Sequence, residues 1–224
     1  MQTHCSLVPL AGRTLSLAAT AYSRLVTELM RPAKQSPGSL SQNGLLPSKP
    51  LQTFPVTTPR RAQPPSFSPA EFREALGMFA TGVTIVTARA ADGTLVGLTA
   101  NSFNSVSLAP PLVLWSLARA AGSMPALSAG SHYAVNILAA SQKALAERFA
   151  TRNIDRWADV AFTEGLGGAP VLVGAAASFE CFNRSRYDEG DHVIFVGEVE
   201  RCTHDAGASP LLFHGGRFYT EHPL

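Results

Sequence analysis

Glycine-rich nucleotide signatures are missing from these 224 residues. Neither G-x-G-x-x-G nor G-x-x-x-x-G-K-S/T occurs, which removes the Rossmann and P-loop routes to a nucleotide. Metal-ligating patterns are missing too. Cys5, Cys181 and Cys202 lie far apart with no C-x-x-C, and His132, His192, His204 and His214 share no ligand spacing. H-E-x-x-H is absent, so no metal site is expected. Three such cysteines read as buried, reduced thiols of a cytoplasmic protein. There is no G-x-S-x-G elbow, and no pair of carboxylates stands out for acid–base work. Asp188, Glu189 and Asp191 cluster in a turn and read as a solvated tip. No window approaches the ~18 consecutive apolar residues of a membrane helix.

Acid is scarce in one part of the chain. Residues 1–65 carry seven basic residues and the single acid Glu28, giving +6. The remaining 11 basic and 15 acidic residues give −4, and the two sum to the net charge of +2. The mildly acidic remainder shows no nucleic-acid footprint. Prolines recur between residues 34 and 65 too often for a helix or a central strand. Residues 1–65 therefore read as a disordered basic extension. Their composition resembles an organelle transit peptide, but more so translated upstream sequence without a function, which is the favoured reading. Residues 66–224 are the folded domain.

That domain opens on Ser68-Pro69-Ala70-Glu71, an N-cap, a proline at the first helical position and the acid of a capping box. The helix is expected to end near Gly82, with Phe72, Leu76 and Phe79 on one face. A strand follows over residues 83–87, a hairpin turn at Asp92-Gly93 and a return strand over 95–103. Residues 112–117 read as a buried strand and 132–138 as another. Ser123 is placed to cap a short helix, and Ser141 to cap one running to Ala150. A loop or short helix covers 153–161, and an apolar strand 171–181. A turn at 187–190 leads into the longest alternating strand, 192–202. A last pair, 211–213 and 217–219, is joined by Gly215-Gly216. Many short strands with few helices argue for a mainly β barrel.

What the sequence does have is an unusual stretch over residues 97–117, GLTANSFNSVSLAPPLVLWSL. Short hydroxyl and amide side chains fill the space between two apolar strands. Such residues compete for backbone hydrogen bonds and let the backbone approach a ligand. Pro110 and Pro111 force a turn before the chain re-enters the sheet. A polar rim in an apolar wall is the composition of a cofactor pocket. With no side-chain nucleophile in sight, the pattern suits a protein whose cofactor carries the chemistry.

Several segments together resemble the flavin reductase-like family, the small NAD(P)H:flavin oxidoreductases that serve two-component monooxygenases. They are FATGVTIVT (79–87), GLTANSFNSVSLAPPLVL (97–114), YAVNIL (133–138), the helix from Gln142 to Arg148-Phe149, GDH (190–192) and PLLFHGGRF (210–218). The resemblance implies an FMN-binding split barrel, a Greek-key β-barrel with a few flanking helices, in a homodimer. It implies hydride transfer from NADH or NADPH to FMN or FAD, and release of reduced flavin to an oxygenase component. Carried over by position, Val96, Gly97, Leu98, Thr99, Asn101 and Ser102 would line the isoalloxazine. Ser116, Leu117, Ala118 and Ser123 would take the ribityl chain and phosphate. Arg148 and Phe149 would close the phosphate side, and His192, Phe213 and His214 would face the nicotinamide. Between Trp115 and Ser123 the chain is slightly longer than the family pattern. Two other readings use the same barrel: a non-reductase FMN-binding electron carrier, and a flavin-dependent oxidase. The oxidase would need a basic patch for a phosphorylated substrate, against which the mildly acidic domain speaks.

Overall fold

The computed structural model describes residues 63–222. The expectations for residues 1–62, including Cys5, lie outside the described residues. Helix α1 spans Pro69–Gly77. The expected capping box is present: the Glu71 N–H donates to Ser68 Oγ at 3.2 Å, and the Ser68 N–H donates to Glu71 Oε2 at 2.7 Å. These backbone and side-chain bonds with Ser68 hold the Glu71 carboxyl below its ordinary value. The helix stops at Gly77, short of the expected Gly82, because Thr81–Gly82 is already strand β1. Its apolar residues are uncovered, with Phe72, Leu76 and Phe79 all exposed.

The strands follow as β2 Thr84–Arg89, β3 Leu95–Ala100, β4 Asn104–Leu108 and β5 Pro111–Ala118. Helix α2, Met124–Ala129, precedes β6, His132–Ile137, and a 3-10 turn at Ala140–Gln142 leads into helix α3, Lys143–Ala150. Then come β7 Phe162–Glu164, β8 Pro170–Leu172, β9 Ala177–Glu189, β10 His192–His204, β11 Leu211–His214 and β12 Arg217–Thr220. The main sheet has seven antiparallel strands in the order β3-β2-β6-β9-β10-β5-β4. The mainly β expectation is met.

Local chemistry places the turns. Gly93 has φ +88°, and the Thr94 N–H donates to Asp92 Oδ1 at 2.9 Å. Four expectations shift. The return strand ends at Ala100 rather than 103. Part of the polar stretch becomes β4, which pairs with β5 around a bulge between Ser105 and Ser107. The single strand expected over 171–181 splits into β8 and β9, with Gly174 at φ +78° in the turn between them. Helix α3 starts after Gln142, whose Oε1 accepts from the Ala139 N–H at 3.1 Å, so Ser141 caps nothing.

Two apolar clusters hold the fold. One fills the barrel around Val86, Trp115, Tyr133 and Phe195, with Trp115 and Phe195 stacked at 4.7 Å. The other, with Ile85, Leu138, Phe149 and Leu172, lies under α3. Asn136 is fully buried. Its Nδ2 donates to the Ile85 carbonyl (3.1 Å) and Thr87 Oγ1 (3.2 Å), and its Oδ1 accepts from the Leu172 N–H (2.9 Å) and Ser178 Oγ (3.1 Å). Cys181 is buried, and burial first, then the Glu180 and Glu200 charges, push its thiol up to about 12. Cys202 is exposed, unlike the expected buried thiol, because it lies on the outer half of β10. Among the described residues no helix is long and apolar enough to cross a membrane.

Candidate functional site

Strand β3 pairs only with β2, so its other edge is open. In an antiparallel pair, residues alternate between facing the partner and facing away. The Gly97 carbonyl accepts from Arg156 Nη1 at 2.9 Å, so Gly97 faces away from β2. Leu95 and Thr99 share that orientation. Their main-chain groups therefore line a groove of about 650 Å³ that is open to solvent. Its walls are residues 95–99, residues 120–123, the end of α3 at Phe149 and Ala150, and residues 152–157.

The side chains of β3 divide between two faces. Val96 and Leu98 pack on the barrel cluster, so they offer the groove mainly backbone. Thr99 Oγ1 donates to the Ala146 carbonyl at 2.7 Å and ties the strand to α3. Gly97 sits under the same helix: a Cβ there would lie 2.5 Å from Phe149 Cε1 and 3.2 Å from Trp157 Cζ2. Glycine is the residue that lets α3 approach this strand.

Of the residues singled out from sequence, Val96, Gly97, Leu98, Thr99, Ser123 and Phe149 border the groove. Asn101, Ser102, Ser116, Leu117, Ala118 and Arg148 do not. Ser102 Oγ accepts from the Ser116 N–H at 2.9 Å, spending both residues on closing the barrel. Leu117 is core. Ala118 pairs with His192 across β5 and β10. Arg148 Nη1 donates to the Ala158 carbonyl at 2.6 Å. Asn101 is exposed where β3 ends.

The three nicotinamide candidates are not brought to the groove wall. His192 lies at the start of β10, with Nδ1 2.7 Å from Asp191 Oδ1. That hydrogen bond, then the His192 charge, lowers the Asp191 carboxyl. Phe213 packs edge-on against Phe218 at 5.3 Å, beside the cluster under α3. His214 neighbours Tyr219 in the three-stranded sheet of β1, β11 and β12.

Sequence reasoning gave no site role to residues 152–157, reading 153–161 as a loop or short helix. Arg156 Nε donates to the Thr151 carbonyl at 2.8 Å while its Nη1 holds Gly97. Asp155 Oδ1 accepts from the Trp157 N–H at 2.9 Å. The Trp157 ring meets Phe149 edge-on at 5.1 Å and Phe162 at 5.5 Å. Arg152 also borders the groove, and among the described residues no salt bridge engages Arg152 or Arg156. The available signal was two arginines with one acid between them, next to a tryptophan. The arrangement provides a donor-bearing sheet edge, an aromatic wall and two cations. Such a slot suits a flat heteroaromatic ring with an anionic tail.

Residues 76–222 match the family described as Flavin reductase like domain. The chain is 49% identical over 147 residues to an FMN reductase (NADH) of Agrobacterium fabrum, covering 66% of this chain and 83% of that one. It is 41% identical over 150 residues to the reductase component of a flavin-dependent trigonelline monooxygenase of Acinetobacter baylyi, covering 67% of this chain. It spans 48% of that relative, about half its length. A solved NADH:FAD oxidoreductase of Streptomyces globisporus, in complex with NAD and FAD fragments, superposes with a TM-score of 0.65 at 41% identity. That superposition covers 69% of this chain and 93% of the other.

Proposed function

Because the chain belongs to the flavin reductase-like family, we propose that it reduces FMN or FAD at the expense of NADH and hands the reduced flavin to a partner monooxygenase. The groove along the open edge of β3 is the observation that carries this reading. Its residues fit the group: a groove of about 650 Å³ lies within the ~300–1,000 Å³ of small-molecule sites. Flavin bound there would supply the redox chemistry, as the acceptor of the hydride that NADH gives up.

The chain's own residues bind, orient and shield. The free Gly97 and Thr99 N–H groups face the slot and can donate to an acceptor-bearing ring edge. They favour any negative charge that develops there. Phe149 and Trp157 supply the apolar wall that excludes water. Arg152 and Ser123, both on the groove wall, would hold the phosphate. No protein acid or base is required. The groove is open to solvent, which favours exchange of flavin over permanent retention and argues for a reductase rather than an electron carrier.

The test is a steady-state assay crossing NADH and NADPH with FMN and FAD. NADH oxidation that depends on added flavin is expected; no turnover in any of the four combinations overturns the reading. We propose the cytoplasm as its compartment, since the reaction needs a supply of NADH. We also propose a homodimer, with the exposed Phe72, Leu76, Met78 and Phe79 as its candidate apolar contact. Sedimentation at micromolar concentration should give twice the chain mass, and a monomer there rejects the proposal.

A further inference from the structure

We propose that Arg156 is a positioning residue that masks the central acceptor on the open edge of β3 and so makes that edge richer in donors for the flavin. The inference rests on the function proposed above. An unpaired strand edge presents carbonyls as well as N–H groups. A carbonyl pointing into the slot would repel a ring edge rich in acceptor atoms. The Gly97 carbonyl is the central one of the three on this edge, and Arg156 Nη1 occupies it at 2.9 Å. The Gly97 and Thr99 N–H groups remain free, beside a cation.

The same guanidinium does a second task. Its Nε donates at 2.8 Å to the Thr151 carbonyl, just past the end of α3. Late carbonyls of a helix lack intrahelical partners, and a cation there is favoured. One planar fork thus joins the strand edge to the helix end and holds residues 152–157 along the groove. Among the described residues no carboxylate lies within ion-pair distance of Arg156. The adjacent acid, Asp155, is turned to the Trp157 N–H instead. The charge therefore stays available to the slot. Lysine would not replace it, because a single ammonium lacks the fixed two-pronged geometry.

The test compares wild type with Arg156→Ala and Arg156→Lys. Flavin affinity is read by fluorescence quenching, and KM and kcat by NADH oxidation. Arg156→Ala should bind flavin about tenfold more weakly, the loss expected for a charged hydrogen-bonding group. KM for flavin should rise more than kcat falls. Arg156→Lys should recover only part of the affinity, and millimolar guanidinium ion should restore binding to Arg156→Ala. A merely structural arginine would lower the melting temperature without guanidinium rescue or a shift in KM. Flavin affinity and KM within twofold of wild type in Arg156→Ala overturn the inference alone. If that variant does not fold, Arg156→Lys carries the test, and wild-type affinity in it overturns the inference equally. Wild-type protein that binds no flavin removes the proposed function, and this inference with it.

Discussion

Gly97→Val is expected to abolish tight flavin binding, lowering affinity by well over tenfold. The position has an ordinary backbone conformation, so the effect is one of space. A Cβ alone would lie 2.5 Å from Phe149 Cε1 and 2.9 Å from Cδ1. Phe149 is sealed in the core under α3, with Leu138 and Leu172 in the same cluster, and cannot swing aside. The branched methyls of valine must therefore push α3 and Trp157 away from β3, and both form groove walls. Overpacking of this kind typically costs about 1–3 kcal/mol of stability. The functional loss should exceed that, because the displaced parts are the binding surface itself. Gly82→Ala is the control, since nothing lies within 4 Å of the Cβ it would add. Flavin fluorescence quenching alongside calorimetric melting decides it. Affinity within twofold of wild type in Gly97→Val would show that the slot lies elsewhere.

Asn136→Leu is expected to destabilise the domain by about 3–5 kcal/mol, enough to unfold many variants outright. All four hydrogen-bonding positions of this buried amide are used, linking β2, β6, β8 and β9. Leucine has similar volume but leaves the Leu172 N–H and the Ser178 hydroxyl facing an apolar group. Each buried orphan costs about 1–3 kcal/mol. Thr87 is affected next: its hydroxyl accepts from Asn136 while donating to the Pro170 carbonyl. Urea denaturation of both proteins measures the difference. A loss below about 1 kcal/mol would mean that water or a rearranged strand satisfies those groups, against the network described.

Both residues show what sequence reading reaches. Features set by neighbouring residues were legible. The Ser68-Glu71 capping box, the Asp92-Gly93 hairpin and the Gly215-Gly216 turn depend on atoms a few positions apart, and each is where its residues predict. Features set by distant partners were not. Residues 104–108 are polar because β4 is an edge strand whose side chains are mostly exposed, and only its pairing with β5 makes it a strand. Asn136 sits in a strand buried on both faces, so alternation could not distinguish its role. The groove shows the same division. Residues 97–99 belong to a stretch that stood out by its composition, and the family resemblance added Val96 and their place beside the ring. Arg156 did not, because its partner is a backbone carbonyl 59 positions away and leaves no trace in residue type. The resemblance put Arg148 on the phosphate side, yet its guanidinium donates to the Ala158 carbonyl.

The chain has two tryptophans, and the fold has sent them to different places. Trp115 is enclosed by Phe195 and Tyr133 at the barrel centre, while Trp157 stands against Phe149 on the groove wall. The protein therefore carries two intrinsic fluorophores with separate duties. Emission from the first follows collapse of the interior as a whole. Emission from the second comes from the groove wall itself, so anything yellow that enters there quenches it at close range without an added label.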